Sequence, residues 1–505
     1  MPTRMRGWRG GAVRLDPCAR PAGAASCRAR AARWLALTVP LALAALIAAP
    51  ASTLAQTVED TEVKRLERQM EIERAMIDAA RRAKARRALE TDETVTYEQI
   101  LADPDNLDLN FRYAKAQVAR GDFLGASATL ERILMIDPAL TKIRLFRALV
   151  LYHLDNLEDA EREFAAALAE ELSPEERRET ERYLRDIRHR RRRTRFASTT
   201  SMGWGFDTNR NAAPSSKERL FFDFPLPLTG TSRKRRDTHA LVIQSLDVEH
   251  RLQEEMGHTL IGSFDYFLGE QTSADDLDLQ SFAAEGGTVI ETPLGAISST
   301  GFANYLYLSR ESFLRSQGVR LGAARALGER AALSTIGSWA HEDYMPITEN
   351  TAADQRDGNR VTVDVLGTYL LTPTIQLAAG FGYENKGVEK PTEFNAYEGF
   401  SVTGSHTWLL GRGQFLLSSL TFGVDLYDEP DVAVSARIRR DKDVRARIAY
   451  GAPVALLIGD WLPDPFLENL TAMFSVEQTR SLSNITNYTY SNTKLDMIFS
   501  KRIDF

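Results

Sequence analysis

Cysteine is almost absent from this sequence. The 505 residues include only Cys18 and Cys27, and both lie in an N-terminal segment that we expect to be removed. A mature chain without thiols forms no disulfide framework, thiol nucleophile or zinc–thiolate site. No cysteine stands at the expected cleavage position, so we do not expect the chain to be a lipoprotein itself.

An excess of basic residues is also missing. The formal net charge is −6, although residues 1–33 carry eight arginines and one acidic residue, which gives +7, and residues 34–55 carry no charge. Taking +7 from −6 leaves −13 for the rest of the chain. Because nucleic-acid binding needs a basic surface, we do not expect a nucleic-acid partner.

Catalytic motifs of the common kinds are missing as well. The sequence contains neither HExxH nor GxSxG. Any ordinary catalytic base would have to be one of seven histidines: His153, His189, His239, His250, His258, His341 and His406. We therefore do not expect the protein to be an enzyme, and we expect no catalytic residue, metal ligand or cofactor. A membrane-embedded lipase or protease is the alternative from a different class.

One apolar run lies near the N-terminus. Residues 34–49 read WLALTVPLALAALIAA and follow a basic stretch. A membrane-spanning helix needs roughly 20 residues, and Pro40 interrupts this shorter run. We predict that residues 1–55 are a secretory signal peptide cleaved before Gln56, with a retained membrane anchor as the alternative.

Helical patterns occupy the next part of the chain. Residues 56–100 are charged and rich in Glu, Arg and Ala, and they predict a solvent-exposed helix, with partial disorder as the alternative. Residues 101–195 contain a 34-residue repeat. Four position pairs recur at that spacing: Ala114 and Ala148, Ala126 and Ala160, Leu130 and Phe164, and Pro104 and Pro138. This pattern resembles the tetratricopeptide repeat, which implies paired antiparallel helices.

Such helix pairs offer a concave groove to a peptide or a partner helix. The candidate groove residues are Asn110, Tyr113, Gln117, Arg144 and Arg147. Expected partners are a protein cargo and periplasmic chaperones, and the alternative is a spacer that packs only on its neighbour. The arginine-rich run at residues 185–195 either complements a helix dipole or contacts outer-membrane lipid phosphates, and the two roles are compatible.

Residues 196–505 alternate between apolar and polar side chains. Val361, Val363 and Val365 alternate with Thr362 and Asp364, for example. The polar face carries charges, among them Asp265, Asp364, Glu384 and Asp425, as expected of a water-filled lumen. Aromatic residues recur near strand ends, and short connections alternate with long ones. We predict an antiparallel outer-membrane β-barrel of about 14 strands, preceded by α-helical hairpins in the periplasm.

The last strand ends in an aromatic residue. Phe499, Ile503 and Phe505 lie on its apolar face. This ending resembles the signal that outer-membrane barrels present to their insertion machinery. We therefore expect these three residues to act as the barrel-insertion signal.

Two short motifs resemble the surface lipoprotein assembly modifier family. The first, GWGFDTNRNAAP at residues 203–214, includes Gly203, Asp207, Asn209 and Asn211. The second includes Ser483 and Asn484, followed by Tyr488-Thr489-Tyr490. The resemblance covers roughly residues 100–505. From chemistry alone, we expect the Asp and Asn side chains of the first motif to support a turn after the first strand.

The resemblance implies an outer-membrane translocator or assembly factor. Such a protein delivers lipoproteins, or related secreted protein cargo, to the cell surface. The alternative is an exopolysaccharide or solute export porin with a periplasmic tetratricopeptide domain, and a plain diffusion porin is a third possibility. In each case the helical domain is expected to lie in the periplasm.

Overall fold

A computed structural model describes residues 70, 74, 79, 80, 95–253, 257–328, 330–348, 350–389, 393–459, 467 and 469–505. The predicted signal peptide at residues 1–55 lies outside this range. Two compact units are present, one containing residues 95–187 and the other containing residues 188–290 and 296–505. No helix among the described residues combines the length and the apolarity needed to cross a bilayer.

The first unit is built from paired helices. Its helices are α1 (Tyr97–Ala102), α2 (Leu107–Ala119), α3 (Phe123–Ile136), α4 (Thr141–His153), α5 (Leu157–Leu168) and α6 (Pro174–Arg191). Asn106, Asp122 and Asn156 begin α2, α3 and α5, and each accepts a hydrogen bond from a backbone N–H in the first turn. Ser173 and Glu176 form a reciprocal capping box at the start of α6.

The alanine, leucine and phenylalanine positions of the repeat are the positions where the helices pack. Ala114, Ala126, Leu130, Ala148, Ala160 and Phe164 are all buried. Small side chains let two helices approach closely, while Leu130 and Phe164 fill the space between them. The 34-residue repeat therefore marks the core of the helical unit.

The second unit is a closed barrel. Its chain contains β1 (Thr194–Asp207), β2 (Glu218–Phe221), β3 (Phe224–Pro227), β4 (Asp237–Gln253), β5 (His258–Gln271), β6 (Leu279–Thr292), β7 (Gly295–Leu308), β8 (Glu311–Leu327), β9 (Ala331–Tyr344), β10 (Gly358–Thr372), β11 (Ile375–Val388), β12 (Tyr397–Gly411), β13 (Gln414–Tyr427), β14 (Arg440–Pro453), α7 (Val454–Ile458), β15 (Leu470–Ser483) and β16 (Tyr490–Asp504). β1 and β4 to β16 follow one another around the barrel, and β1 pairs with β16 to close it. The prediction of a 14-stranded antiparallel barrel is confirmed.

Side-chain alternation orients the barrel wall. On β10, Val361 and Val363 are exposed on the outside, whereas Thr362 and Asp364 are buried on the inside. An apolar outer face and a polar inner face are what a barrel needs in a bilayer. One end of the barrel carries mostly short connections and the other carries the longer ones, and we call these the turn end and the loop end.

The expectation of a solvent-exposed helix at residues 56–100 holds for residues 96–99, which are exposed, but is wrong for Met70 and Ala79. Met70 and Ala79 are helical and buried. Met70 packs with Leu241 and Ile243 on the inner face of β4, and Ala79 packs with Phe415 of β13. These helical residues therefore lie inside the barrel lumen.

Candidate functional site: the lumen and the seam of the barrel

The seam between β1 and β16 carries the first family-like motif. The two strands pair without interruption from Ala197 opposite Asp504 to Asp207 opposite Lys494. A Cβ atom at Gly203 would lie 2.5 Å from the carbonyl oxygen of Met497. Glycine at this position therefore lets β16 approach closely.

A buried histidine covers the next glycine of the motif. The ring of His239 lies over Gly205, and its two nitrogens are 3.5 Å from carboxylate oxygens of Asp207 and Asp496. These groups come from β4, β1 and β16. The side chains thus join three neighbouring strands at the loop end of the seam.

The polar residues of the first motif build the loop that follows β1. Asn209 is buried, donates to the carbonyl oxygen of Ala213 (3.0 Å), and accepts from the Ala213 N–H (3.0 Å). Asn211 donates to the carbonyl oxygens of Thr231 and Arg233, which lie at the other end of the same loop. Both residues thus hold backbone in place, as Asx side chains do in turns.

The second motif shapes the turn between β15 and β16. The Ile485 N–H donates to the Ser483 hydroxyl (3.1 Å). Asn484 donates to the carbonyl oxygen of Ile438 (2.8 Å) and accepts from the Arg440 N–H (2.8 Å). The motif therefore ties this turn to the start of β14.

The two motifs meet mainly through Asn492, which the sequence did not single out. Asn492 donates to Asp207 (2.5 Å) and accepts from the Asn209 N–H (2.8 Å). The Ser215 N–H donates to the carbonyl oxygen of Thr489 (2.9 Å). The motifs lie about 280 residues apart in the chain, so no local pattern indicates that they share one network.

The hairpin formed by β2 and β3 lies within the loop after β1 and is fastened to the loop end. Asp223 accepts from the Ser435 hydroxyl (2.5 Å) and the Ala436 N–H (2.9 Å), and these bonds lower the pKa of its carboxyl, the Ala436 bond most. Asn487 exchanges hydrogen bonds with the backbone of Leu220. Two other loops at the loop end thus hold the hairpin.

The inner wall is rich in charged side chains. Asp265, Asp364, Glu384 and Asp425 are all buried on the inner face, as the alternation predicts. Glu342 pairs with Arg360 (2.8 Å) and Lys386 (2.7 Å), and Arg447 pairs with Glu477 (2.5 Å). These cross-strand pairs offset the cost of placing charges inside the barrel.

One wall carboxylate binds the helical residues in the lumen. Arg74 lies 3.2 Å from Asp265 of β5. Met70 and Ala79, on either side of Arg74 in sequence, contact apolar patches of the wall. An ion pair and two apolar contacts therefore hold Met70, Arg74 and Ala79 against the wall.

The candidate groove residues of the helical unit take part in its internal contacts. Asn110 is buried and donates to the carbonyl oxygens of Pro104 and Asn106, and it also accepts from Arg132. Gln117 is buried and bonds Asp122 and Thr129. Asn110 and Gln117 thus stabilise a helix pair and offer no free surface.

The other three candidate groove residues also contact neighbours within the helical unit. Arg144 and Arg147 both bind Glu163, and Tyr113 packs near Tyr97.

The predicted insertion residues lie on the outer face of the seam. Ile503 and Phe505 are exposed, and Phe499 packs edge-on against Trp204 of β1. The Phe505 N–H donates to the carbonyl oxygen of Phe196 (2.9 Å). These positions face the bilayer region, and their role as a signal stays a prediction.

Among the described residues, no group of three or more His, Cys, Asp or Glu side chains is arranged to hold a metal ion. No protein-family model and no curated protein matches the sequence. Solved structures to which the chain is similar include OccAB4 of Acinetobacter baumannii, with 6% identity and a TM-score of 0.29. Others are OpdQ (10%, 0.30) and OccK5 (OpdH) (9%, 0.31) of Pseudomonas aeruginosa.

Each of these alignments covers 62% of this chain, and they cover 99%, 100% and 98% of the three structures respectively. The described chain has the fold of an outer-membrane β-barrel, with 14 strands and an N-terminal segment of several helices.

Proposed function

We propose that the protein is an outer-membrane transport barrel that exports a polar solute or polysaccharide through its lumen. The observation that carries this proposal is the closed barrel with a charged inner wall. A polar wall replaces the hydration of a polar substrate, which an apolar wall cannot do. In this proposal Met70, Arg74 and Ala79 obstruct the lumen until they are displaced.

Conductance of the full-length protein in planar bilayers tests this function. Arg74→Ala removes the ion pair with Asp265, so we expect larger or more frequent openings than in the native protein. Arg320→Ala is the matched control, because Arg320 pairs with Glu285 of the wall. Equal conductance of the native chain and Arg74→Ala would contradict gating by these lumen residues, and absence of any ion passage in both would contradict the channel.

Surface delivery of protein cargo is the second candidate. It is supported by the resemblance of residues 203–214 and 483–490 to the surface lipoprotein assembly modifier family, and by the helix pairs that precede the barrel. In this candidate the helices receive a lipoprotein in the periplasm, and the barrel passes it to the outer face.

Protease shaving of intact cells, with and without the gene, separates the two candidates. Retention of one or a few surface proteins in the periplasm of the deletion strain would favour protein delivery. An unchanged set of released peptides, together with channel activity in bilayers, would favour solute or polysaccharide export.

A further inference from the structure

The β2–β3 hairpin exposes an unusual amount of aromatic surface. Phe221 is 50% exposed and Phe224 is 72% exposed, and the neighbouring Phe222 and Leu226 are exposed too. Phe221 and Phe224 face each other at the last pair of the hairpin. Four large apolar side chains within six residues form a contiguous patch, and such patches on protein surfaces usually mark binding sites.

The hairpin is held rigidly in this exposed position. Leu220 is bonded through its backbone to Asn487, and the backbone N–H groups of Phe222 and Asp223 donate to the carbonyl oxygens of Ala433 and Val434. The Asp223 carboxylate adds two further bonds. These bonds fix the backbone of the hairpin in a position that leaves the phenylalanine side chains exposed.

Basic residues surround the aromatic surface. Residues 208–236 contain seven Lys or Arg and two acidic residues, in a chain whose net charge is −6. Lys217 and Arg219 lie on or beside the hairpin and are exposed. Arg233, Lys234 and Arg236, at the end of the same loop, are exposed as well. The partner of this surface must therefore combine negative charge with apolar groups.

The position of the hairpin identifies such a partner. Its loop starts at the end of β1 and is bonded to the loops after β13 and β15, so it follows the rim of the barrel. At the rim of a membrane barrel, headgroups meet acyl chains. Basic side chains beside phenylalanines match that boundary, where apolar side chains enter the lipid and cations bind the phosphates.

We propose that the surface formed by Lys217, Arg219, Phe221, Phe222, Phe224 and Leu226, called the hairpin patch, binds a phosphate-bearing glycolipid of the outer leaflet. The cations contact the glycolipid phosphates, and the phenylalanines contact its acyl chains. A protein partner would account for the aromatic residues but gives no reason for the position on the rim. The proposal does not depend on what passes through the lumen.

The test is native mass spectrometry of the full-length protein in detergent, titrated with bisphosphorylated lipid A. One variant combines Phe221→Ser with Phe224→Ser, and the other combines Lys217→Glu with Arg219→Glu. Matched controls change the same chemistry on the helical unit. Met135→Ser with Ile136→Ser alters side chains that are 78% and 57% exposed, and Lys142→Glu with Arg178→Glu alters exposed cations.

We expect each hairpin-patch variant to weaken lipid A binding at least about tenfold, since two cations or two apolar anchors are lost in each. The controls should stay within about twofold of the native protein. Monophosphorylated lipid A should bind the native chain more weakly than the bisphosphorylated form. The heat-dependent shift of the barrel on a gel verifies that every variant is folded.

Native-like binding by either hairpin-patch variant overturns the proposal. If only the charge variant binds weakly, the attraction is general electrostatics and not a lipid site. If both variants bind lipid A normally but lose a protein at the cell surface, the patch belongs to a protein partner. Conductance of the same variants is a separate readout, so failure here is distinguishable from failure of the transport function.

Discussion

In the first motif, a different contact explains the residue type at each position. Gly203 is small because the backbone of β16 passes close to it, and Gly205 is small because His239 covers it. Asn209 and Asn211 satisfy backbone groups of a buried turn. The chemical expectation for Asn and Asp after a strand anticipates this kind of bonding. Their partner Asn492, 283 positions away from Asn209, could not be anticipated because nothing local indicates which strand closes the barrel.

Replacement of Gly203 by alanine tests the close approach at the seam. The added methyl group meets the Met497 carbonyl, and we expect a loss of about 1–3 kcal/mol in the free energy of unfolding. Gly404→Ala is the control, because a Cβ there has no heavy atom within 4 Å. The temperature at which the folded band disappears from a gel measures both variants. A Gly203→Ala barrel as heat-resistant as the control would contradict this account.

The docking of the hairpin should depend on pH through Asp223. Its folded-state pKa lies below the ordinary value of 3.8, so the charged form stabilises docking. This contribution is fully present above the ordinary pKa and is lost as pH falls through the lower folded value. A nitroxide at an introduced cysteine replacing Leu226 should therefore become more mobile only in strong acid.

Asp223→Asn is the control for that measurement. The amide lacks the charge, so the label should be more mobile at neutral pH and should lose its response to acid. A native hairpin whose label mobility is constant down to acid pH would indicate that other contacts are sufficient for docking.

At the scale of elements, the strands were predictable from the sequence, but the position of Met70, Arg74 and Ala79 inside the lumen was not. Alternation predicted about 14 strands, and the barrel has 14, of which β14 begins at Arg440. The preceding residues bind the hairpin and the β15–β16 turn instead of a strand. Met70, Arg74 and Ala79 are helical residues within a charged stretch of sequence, and a charged lumen favours the same composition as water does. Composition therefore cannot distinguish a lumen helix from an exposed one.

Overpacking of the α4–α5 pair should destabilise the helical unit. Ala148 is fully buried, so Ala148→Leu forces the two helices apart, at a cost of roughly 1–3 kcal/mol. Ala128→Leu places the same side chain on an exposed face of α3 and is the control. Thermal unfolding followed by the helical circular dichroism signal should show a lower midpoint for Ala148→Leu alone. Equal midpoints would indicate that α4 and α5 are loosely packed.

For the whole molecule, the charge of the lumen is the property with functional consequences. Glu384 of β11 and Asp425 of β13 lie on the inner wall, with β12 between their strands. Their charges attract cations into the low-dielectric interior, so ion passage should favour cations. This charge distribution could be predicted from alternation, but the ion pairs that balance part of it depend on which strands become neighbours.

The reversal potential in a salt gradient measures this selectivity. We expect the double variant Glu384→Gln with Asp425→Asn to shift it toward zero, because two wall charges are removed. Asp428→Asn, an exposed residue after β13, is the control and should leave the potential unchanged. Anion preference in the native protein would contradict the expectation that Glu384 and Asp425 attract cations into the lumen.

The pairing of β1 with β16 has a consequence for the order of assembly. The loop after β1 is completed by Asn492, Thr489 and Asn487, which all belong to the last hairpin. That loop cannot reach its final structure until the end of the chain has been synthesised, exported and paired. The bonds of the buried Asn209 to Asn492 and Ser491 therefore form only after the last strand is in place, so the first connection of the barrel is completed together with the last strand.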